Sequence, residues 1–554
     1  MITGIRSAGR LGLLLELDTL DDVLAVHQHL KAHPLQGQVD AVAAARTIML
    51  TFTHRAEVRA AEQQTAQLSG LTFSTGDREL KQIPVVYDGE DLDELTQTLG
   101  MSTEAFIHWH SSQQWLGAFG GFAPGFTYCT PAESTQPIPR RASPRTAVPE
   151  RSVAVAGDFS AVYPRVSPGG WQLIGRTSAD MWDLNREQPA LVSPGDTVVY
   201  VPVSAEELTL SNDTESQPAA EHDAATPAER DTPSGRAQRP PLLTVEDPGM
   251  QLLVQDDGRP GYSDLGVSRA GAADEAATRQ ANRLVGNPED AAVLESLMGA
   301  VRLTAGCTAV LAATGAETTL TITAEDGTTR QVPMCAPFAL SAGEHLQIGA
   351  PTRGLRVVLG LRGGVAGHPE LGSLSSDTMS GLGPAPLQAS DTLSAAETTS
   401  HTAVGMPEPT TLAGTGEDGS FTLRFTYGPR EDWFAEAEQH RLAAQPWQVT
   451  PQSNRVGVRL EPAASQDTEA RSLQRHRTDE LPSEGVARGS LQMPPSGNPV
   501  LFLNDHPVTG GYPVIGVLLP QDLPVAAQLS PGDTIHLLPV DPDSLTPLPS
   551  ETQS

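Results

Sequence analysis

The sequence predicts a mainly β protein with a small α/β domain at its N-terminus. The first 80 or so residues alternate strand-like and helix-like apolar patterns, whereas much of the remaining chain consists of short β-like runs separated by Gly and Pro. The composition agrees, since the 554 residues include 51 Gly and 46 Pro, with 38% hydrophobic residues. A chain of this length has room for three or four domains, each with its own core.

The N-terminal segment predicts two strands and two helices in alternation. Leu11–Leu17 and Ala45–Thr53 are apolar runs of strand length. Thr19–Lys31 carries apolar residues at helical spacing, and His54–Leu68 is rich in Ala, Glu and Gln, which favours a helix. The texture then changes after the strand-like run Ile83–Tyr87.

Short β-like runs follow at Val153–Ala156, Trp171–Ile174 and Thr197–Val203, a spacing typical of closed or sandwiched all-β domains. The next stretch, Ser204–Pro241, loses most of its apolar residues and is rich in Asp, Glu, Ser, Thr, Pro and Ala. Such a segment cannot bury enough surface to offset its ordering entropy. We therefore predict a disordered acidic linker between two globular halves.

In the second half, β texture resumes with two interruptions. Ser394–Gly419 predicts a boundary between two lobes, and Glu461–Pro482 predicts a polar surface excursion. One helix is indicated at Ala273–Leu284, opening with Asp274 and ending at Gly286. The predicted units are a cap (1–82), a β domain (83–203), the linker (204–241), two lobes (242–393 and 420–540) and a frayed tail (541–554).

The charge balance excludes several classes of function. With 36 Lys plus Arg against 67 Asp plus Glu, the formal charge is −31. This argues against binding to nucleic acid or to an anionic membrane surface. The only lysines are Lys31 and Lys81, and no P-loop pattern is present. A phosphate or carboxylate site would therefore rely on Arg side chains and backbone amides.

The sequence shows no strong metal or nucleophile motif. The three cysteines are scattered and form no C-x-x-C, and His29 and His33 have helical spacing without an accompanying Glu or Cys. G-x-S-x-G, kinase and dinucleotide-binding patterns are also missing in a suitable context. Because we find no secretory signal and no apolar run long enough to span a membrane, we expect a soluble cytoplasmic protein.

The first half carries one dense group of candidate residues. Gly120–Phe126 (GGFAPGF) and Ser167–Trp171 (SPGGW) combine Gly and Pro with aromatic residues, with Arg145 between them and His110 upstream. One interpretation is tight turns between strands, with Trp171 in the core. The other is a pocket with backbone donors, an aromatic wall and an Arg clamp for a small anion.

The second half carries more dispersed polar residues. Val254–Gly261 places an acid, an amide and a guanidinium around a turn. If Ser453–Leu460 is a strand, Arg455 and Arg459 lie on the same face. Asp505 and His506 are candidates for an acid/base pair, although neighbours in a strand point to opposite faces. These patterns alone indicate only a loop-rich β domain.

Long strings in the chain resemble two known families. The first half resembles the B subunit of 5-oxoprolinase, whose family is also called allophanate hydrolase subunit 1 or KipI. The second half resembles the C subunit of 5-oxoprolinase, from the KipA or biotin-dependent carboxyltransferase family. The matching strings in the first half are IPVVYDGEDLDEL, GGFAPGFTYC, SPRTAVPERSVAVAG and VYPRVSPGGWQLIGRT. Those in the second are VQDDGRPGYSDLGVSRAGAADEAA, ANRLVGNPEDAAVLES, SNRVGVRLEP and SEGVARGSLQMPPSGNPVLFLNDHPVTGGYPVIG. The chain thus resembles a natural fusion of the two.

The resemblance implies a ferredoxin-like cap followed by three cyclophilin-like β-barrels, one in the first half and two in the second. It implies an ATP-dependent 5-oxoprolinase that opens 5-oxo-L-proline to L-glutamate with a separate, LamB/YcsF-like A subunit. ATP with Mg²⁺ is the implied cofactor, without covalently attached biotin, and a homo-oligomer is compatible with it. An ATP-dependent route is chemically reasonable, because phosphorylating the lactam oxygen creates a good leaving group.

The resemblance also assigns site residues. The catalytic candidates are His110 as a polar or acid/base group, Arg145 as an anion clamp, Asp256, Arg455 and Asp505. The substrate or nucleotide-binding candidates of the first half are Gly121, Pro124, Gly125, Tyr163, Gly169, Gly170 and Trp171. Those of the second half are Gln255, Arg259, Asp274, Asn282, Glu295, Arg459, Glu484, Gln492, Thr509, Gly510, Gly511 and Tyr512. No metal ligand is assigned.

Two departures and two alternatives accompany the resemblance. Leu374 replaces a common family Arg, which puts an anion contact in that lobe in doubt, whereas Arg141 in place of Lys preserves the charge. One alternative is an allophanate hydrolase or urea carboxylase component, which needs a biotinylated partner because neither Lys31 nor Lys81 has a Met neighbour. The other is a KipI/KipA-like regulator of a histidine kinase.

Overall fold

The computed structural model describes residues 1–74, 79–133, 138–141, 145–209, 241–396, 402–463, 470–477 and 479–549. It is rich in β-strands that form sheets and barrels, which confirms the predicted fold class. None of the helices in these ranges combines the length and apolar character needed to cross a membrane.

The N-terminal cap contains four strands and two helices. Its sheet is antiparallel with the order β1-β2-β4-β3. The two predicted strands and both predicted helices are confirmed, whereas β1 and β3 were not predicted; the ferredoxin-like description stays a prediction. The elements are β1 (Ile2–Ser7), β2 (Gly12–Leu17), α1 (Leu20–Ala32), β3 (Gln38–Ala43), β4 (Thr47–Phe52) and α2 (Arg55–Thr65).

Strand β2 is buried on both faces, which explains its continuous apolar run. Leu13 and Leu15 pack with the helices in the main core of the first half. Leu14 points to the opposite face and packs beside Met49. That face is covered by the second half, since a Cβ at Gly485 would lie 2.5 Å from the Met49 Cβ. The cap is therefore packed between its own helices and the C-terminal lobe.

The second unit is a seven-stranded sheet with the order β12-β9-β10-β7-β6-β13-β5. A bridge between Val86 and Arg176 joins its two edges. The predicted boundary at residue 82 falls inside β5, because β5 pairs in parallel with β13. Its strands are β5 (Leu80–Val85), β6 (Trp115–Gly120), β7 (Thr127–Pro131), β9 (Ser152–Ala156), β10 (Phe159–Val162), β12 (Gln172–Arg176) and β13 (Thr197–Pro202), with α3 (Leu92–Leu99), α4 (Thr103–Ser111) and the separate pair β8 (Arg145–Val148) and β11 (Ser167–Gly169).

The predicted linker is described only at its start. Residues 205–209 form a helical turn, and the remainder of the prediction, 210–240, lies outside the described residues.

The first lobe of the second half consists of two sheets around one core, rather than one closed barrel. Helix α5 (Glu275–Val285) packs on β18 and β23, and its caps Asp274 and Gly286 confirm the predicted helix. The strands are β14 (Leu243–Asp247), β15 (Gln251–Gln255), β16 (Val293–Leu297), β17 (Val301–Ala305), β18 (Ala309–Glu317), β19 (Leu320–Thr323), β20 (Thr329–Val332), β21 (Pro337–Leu340), β22 (His345–Ile348), β23 (Arg353–Leu361) and β24 (Thr392–Leu393).

The second lobe is a closed barrel with the strand order β25-β32-β29-β30-β27-β26-β33. A separate pair, β28 and β31, extends from it toward the cap. The elements are β25 (Phe421–Tyr427), α6 (Glu436–Ala444), β26 (Trp447–Val449), β27 (Gly457–Pro462), β28 (Glu484–Gly485), β29 (Ser490–Gln492), β30 (Val500–Phe502), β31 (Thr509–Gly510), β32 (Val514–Leu518), α7 (Leu523–Ala527) and β33 (Thr534–Pro539).

Two predicted peripheral segments are anchored in the fold. The excursion near the C-terminus contributes Leu473 and Leu481 to the core of the second lobe, although residues 464–469 and 478 lie outside the described ranges. The tail, predicted to fray, docks on the cap through Asp543, which pairs with Arg55 and Arg59 of α2. Residues 550–554 are not described.

Candidate functional site

The Gly-rich loop between β6 and β7 lies at the interface of the two halves. The backbone nitrogen of Phe122 donates a hydrogen bond to the Thr509 hydroxyl at 3.0 Å. On the other side of the loop, the Gly125 nitrogen donates to the Leu265 carbonyl at 3.2 Å. Phe122 has a φ of +61°, which is uncommon for a residue with a side chain. The contact with Thr509 thus helps to hold an unusual backbone conformation.

Close approach explains two of these glycines. A Cβ at Gly121 would lie 2.6 Å from the Thr509 hydroxyl oxygen, and one at Gly120 would lie 2.2 Å from the Asp264 carbonyl oxygen. Both distances are too short for an unbonded carbon, so only glycine lets the second half pack this closely. Pro124 is buried in the same loop. The prediction assigned these residues to a site within the first half, whereas the structure places them against the second half.

A cluster of arginines lies beside this interface. Arg145 donates to both carboxylate oxygens of Asp91 at 2.8 and 2.9 Å and to Glu90 at 3.0 Å. Arg141 also pairs with Asp91, and Arg140 pairs with Glu480 of the second half at 2.8 Å. Burial raises the pKa of Asp91, but the hydrogen bonds from Arg145 outweigh it and lower that pKa below its ordinary value. The cluster therefore gathers three arginines and three carboxylates, with Asp91 shared by Arg141 and Arg145.

Arg140 also approaches the glycines of the second half. A Cβ at Gly511 would lie 3.2 Å from Arg140 Nη1, and one at Gly510 would lie 2.4 Å from the Gln492 amide nitrogen. Tyr512, which follows, is 39% exposed. The predicted residues Gln492, Thr509, Gly510 and Gly511 thus come together with those of the first half.

The aromatic residues predicted to form a wall lie together, and they pack against one another in the core. Trp171 and Tyr163 are buried and make edge-to-face contacts with Phe126 at 5.5 and 5.2 Å between ring centroids. A Cβ at Gly169 would lie 2.2 Å from the Tyr163 hydroxyl, and the Gly170 carbonyl accepts from the Arg141 nitrogen. The structure therefore agrees with the interpretation that places Trp171 in the core, and the anion pocket stays a prediction.

Tyr128 connects this aromatic cluster with the second half. It stacks on Phe119 and contacts Trp171 edge-to-face at 5.5 Å. Burial raises the pKa of Tyr128, and interactions of its hydroxyl with Thr509 and Ser483 reduce that rise. Tyr128 was not a candidate from sequence. We call the set that meets here, Gly121, Phe122, Tyr128, Arg140, Arg145, Tyr163, Gln492, Thr509, Gly510 and Gly511, the interface cluster.

His110 lies away from this cluster, in the core of the seven-stranded unit of the first half. We call this unit the first barrel, because the bridge between Val86 and Arg176 joins its edges. It is completely buried, with Nδ1 2.7 Å from the Tyr87 hydroxyl and Nε2 2.9 Å from the Ser160 hydroxyl. Burial lowers the pKa of His110 to about 3, so it is neutral at physiological pH. This placement corrects the expectation of a histidine available to substrate, because a group without solvent access cannot exchange protons with a ligand there.

Asp256, Gln255 and Arg259 organise one loop of the first lobe. Asp256 accepts from the Ser373 hydroxyl and the Leu374 nitrogen, both at 2.6 Å. The Gln255 amide donates to the Ser376 carbonyl at 2.9 Å, and the buried Arg259 reaches the Glu370 carbonyl at 3.3 Å. Leu374 thus contacts Asp256 through its backbone nitrogen, while its side chain packs on the core of that lobe. These three residues lie together, but apart from the interface cluster.

Arg455 joins the two lobes of the second half from a fully buried position. It donates to Asp505 at 2.9 and 3.0 Å, pairs with Glu295 and also reaches the Gly271 carbonyl at 2.6 Å. Asp505 also accepts from the nitrogen and hydroxyl of Thr378 at 2.9 and 2.6 Å. Since these groups satisfy one another away from solvent, their arrangement is that of an interlobe ion-pair network.

The condition under which Arg455 and Arg459 would share a face is not met, because the strand does not include Arg455. Arg455 precedes β27 and is buried, whereas Arg459 lies within β27 and is exposed, so the two do not share a face. Asp505 and His506 lie in a turn, and His506 Nδ1 contacts the Pro507 carbonyl at 2.9 Å. Burial lowers the pKa of His506 to about 4. The sequence pattern could not reveal that the strand begins only at Gly457.

The remaining candidates occupy capping and interlobe positions. Asp274 caps α5 by accepting from the Ala277 nitrogen at 2.9 Å and also accepts from Gln528 at 2.7 Å. Asn282 donates to the Ala291 carbonyl at 2.7 Å. Glu484 pairs with Arg430, which also pairs with Glu16 of the cap. Arg430, Arg140 and Asp91 are charged residues of these interfaces that sequence reasoning did not select, although Asp91 lies within the first matched string.

The described residues contain no group of three or more His, Cys, Asp or Glu side chains placed to hold a metal ion. The interface cluster instead combines arginines and hydroxyl groups beside a Gly-rich loop. Arginine and hydroxyl donors are suited to a carboxylate or phosphate group.

The family models that match this chain also divide it into two halves. A family model for the carboxyltransferase domain, subdomain C and D, matches residues 3–192. A second model, for the carboxyltransferase domain, subdomain A and B, matches residues 265–539.

Curated relatives resemble each half separately. The 5-oxoprolinase C subunit of Escherichia coli (strain K12) is 32% identical over 303 residues, which cover 54% of this chain and 91% of that protein. The 5-oxoprolinase B subunit of Escherichia coli O157:H7 is 44% identical over 124 residues, 22% of this chain. That match spans 57% of the second relative, a little over half of its length. Urea amidolyase of Saccharomyces cerevisiae is 29% identical over 320 residues, 55% of this chain and 17% of that protein.

A solved structure resembles nearly the whole chain. The crystal structure of TTHA0988 in space group P212121 has a TM-score of 0.76 and 31% sequence identity, covering 95% of this chain and 99% of that one. The likeness therefore includes the arrangement of both halves in a single polypeptide.

Proposed function

This chain belongs to the carboxyltransferase-domain family, with one half related to the B subunit of 5-oxoprolinase and the other to its C subunit, and on that premise we propose that it is the B/C component of an ATP-dependent 5-oxoprolinase. In this proposal it binds and activates 5-oxo-L-proline, and a separate A subunit then completes ring opening to L-glutamate. The related halves motivate this reaction, and the interface cluster supports it.

One observation carries the proposal: matched strings from both halves converge at one place. Phe122 of the first half meets Thr509 of the second at 3.0 Å, and Arg140 lies beside Gly511. Arginines and amides are the donors that a substrate carboxylate or a nucleotide phosphate requires. A site shared between halves also explains why the two related proteins occur here as one chain.

The residues of the cluster fit an anionic nucleotide. Arg140 is 36% exposed and its pairing partner Glu480 is 65% exposed, so a bound phosphate can compete for this guanidinium. When bound, ATP would supply the phosphoryl group that turns the lactam oxygen into a leaving group, and Arg140 and Arg145 would hold its phosphates. Since the described residues offer no acidic metal cluster, Mg²⁺ would enter with the nucleotide.

In this proposal, the arginines, the Gly-rich loop and the aromatic cluster of the chain have separate roles. Arg140 and Arg145 hold anionic groups, with Asp91 fixing the orientation of Arg145 through two hydrogen bonds. The Gly120–Phe126 loop contributes by shape, since its glycines let the second half pack closely while its amides bond within the protein. The buried aromatic cluster around Trp171 limits the access of water to the interface cluster on the side where the two pack together.

The test is a coupled assay of the purified chain with a candidate A subunit. We expect ATP hydrolysis that depends on 5-oxo-L-proline, together with formation of L-glutamate. Urea and allophanate serve as matched alternative substrates. Lack of stimulation by 5-oxo-L-proline, when the added A subunit is active, would overturn the proposal.

The similarity to urea amidolyase supports a second candidate, a component acting on urea or allophanate. In that case the same assay responds to urea or allophanate, and a biotinylated partner is required. Response to none of the three substrates would favour a regulatory protein.

A further inference from the structure

A cleft beside the interface cluster shares none of its residues, although its wall residues Asp264 and Leu265 contact the Gly120–Phe126 loop. It has a volume of about 1090 Å³ and is enclosed by three units. Its walls are helix α1 of the cap, the loop 184–190 of the first barrel, and the segments Tyr262–Leu265 and His368–Leu371 of the second half. The cleft therefore exists only when both halves are assembled.

One face of α1 presents polar groups to this cleft. His27 and Lys31, four positions apart, both line it. His27 Nε2 lies 3.0 Å from the Ala41 carbonyl, which can only accept, so this nitrogen carries the proton. Burial lowers the pKa of His27, which keeps the ring neutral and leaves Nδ1 as an acceptor. Lys31, one of two lysines in the chain, pairs across the halves with Asp264.

The wall of the cleft is held by specific contacts. The Gln28 side chain donates to the Ser74 carbonyl at 2.9 Å and accepts from the Ser74 nitrogen at 3.0 Å. This pair fixes the segment that carries Phe73, whose ring provides an apolar surface in the cleft. Such an arrangement of a few polar groups on a partly apolar wall is typical of small-molecule sites.

The charges of the lining indicate the ligand class. Two cations, Lys31 and Arg186, face three carboxylates, and His27 is neutral. A polyanion such as phosphate or a nucleotide is disfavoured by this excess of negative charge. A ligand that carries one positive and one negative group is complementary to both signs. The carboxylates are Asp264, Glu187 and Glu370.

We propose that this cleft is a binding site for a small zwitterionic amino acid. Lys31 receives the ligand carboxylate, and Glu187 and Glu370 receive its ammonium group. The inference goes beyond the proposed function, since it uses none of the interface cluster and does not depend on which reaction the chain supports. Because the walls come from both halves, a bound amino acid would also stabilise their assembly.

Isothermal titration calorimetry on the full chain tests this proposal. The probes are L-alanine, L-leucine and L-glutamate, with glutarate as the analogue of L-glutamate that lacks the ammonium group, and inorganic phosphate as a polyanion. We expect binding of at least one amino acid, and for L-glutamate an affinity roughly tenfold or more above that of glutarate, equivalent to about 1.4 kcal/mol. Lys31→Met and Glu187→Gln should each weaken amino-acid binding by roughly tenfold.

Lys81→Met is the matched control, because Lys81 lies in β5 and pairs with Glu79 outside the cleft. If Lys31→Met disturbs the interface of the halves, the exposed Glu187 provides an independent variant on another wall. The proposal is overturned if no amino acid binds, if glutarate or phosphate binds as well as L-glutamate, or if Glu187→Gln behaves like Lys81→Met. Since the readout is binding, failure of the coupled 5-oxoprolinase assay would leave this result unaffected.

Discussion

The hydroxyl of Thr509 accepts a hydrogen bond from the backbone nitrogen of Phe122 at 3.0 Å, although the two residues are 387 positions apart. This contact joins a Gly-rich loop of the first half to strand β31 of the second. The same hydrogen bond holds the backbone of Phe122, whose φ is +61°. The proposed site therefore depends on how the halves pack.

We predict that Thr509→Val destabilises the interface of the halves. Valine keeps the shape but removes the acceptor, which leaves the Phe122 N–H unsatisfied at a cost of about 1–3 kcal/mol. The change should appear as a lower urea midpoint and reduced coupled turnover. Thr98→Val is the matched control, since Thr98 is exposed and its hydroxyl contacts only the Glu94 carbonyl of its own helix. Equal midpoints for the two variants would contradict a role for this hydrogen bond.

Arg455→Met should be strongly destabilising. Removal of its guanidinium leaves Asp505 as a buried carboxylate without its cation and Glu295 with only the more distant Arg356, at a cost of about 3–5 kcal/mol. The measurement is the free energy of unfolding by chemical denaturation. Arg459→Met, a change in the same string at an exposed position, should stay within about 0.5 kcal/mol of the parent. Similar values for both variants would contradict the structural role of Arg455.

We predict that the contribution of Asp274 to the free energy of unfolding is lost as the pH rises. Burial raises its pKa to about 6 in the folded state, above the ordinary value of 3.8. A group with a raised folded pKa contributes fully below the unfolded pKa, and that contribution is lost as the pH passes through the folded pKa. Between about pH 4 and pH 7, the stability of the parent relative to Asp274→Asn should fall by about 2 kcal/mol.

The control for this pH experiment is Asp326→Asn at the surface. The pKa of Asp326 is lowered by hydrogen bonds from Thr328, so its contribution changes with pH in the opposite sense. A flat difference between the parent and Asp274→Asn over this range would show that Asp274 titrates normally.

The anion-clamp assignment of Arg145 predicts a loss of activity. In the coupled assay, Arg145→Ala should lower 5-oxo-L-proline-dependent turnover by roughly tenfold or more, because a charge-assisted contact to an anionic group is lost. Arg176→Ala is the control, since Arg176 forms a surface pair with Asp88 at half exposure. Unchanged turnover in Arg145→Ala, at an unchanged unfolding midpoint, would remove Arg145 from the site.

Local pattern was enough to place many elements. The apolar runs of β2 and β4, the periodicity of α1 and the caps of α5 lie where the sequence predicts them. Strand β3, QVDAVA, was not predicted, because its place in the sheet rests on pairing with β4, which a local pattern does not show. Closure of the first barrel through Val86 and Arg176 also has no local signal.

Some of the candidate site residues lie together in the structure and others lie apart. Thr509, Gly511 and Gly121 were all candidates, but only packing showed that they face one another. His110 and Arg455 were assigned to chemistry and proved to be buried, one in a barrel core and the other between lobes. Arg140 was not selected because it lies outside the matched strings, whereas Tyr128 lies within GGFAPGFTYC and was passed over as an ordinary core aromatic residue.

The sequence by itself determined the β-rich class, the division into two halves and the family of each half, because these follow from composition, periodicity and long matched strings. Only the tertiary structure decided which polar residues neutralise one another and which remain available to a ligand. The reason is physical: the burial and pairing of Arg455, or the exposure of Arg140, depend on contacts between segments far apart in the chain.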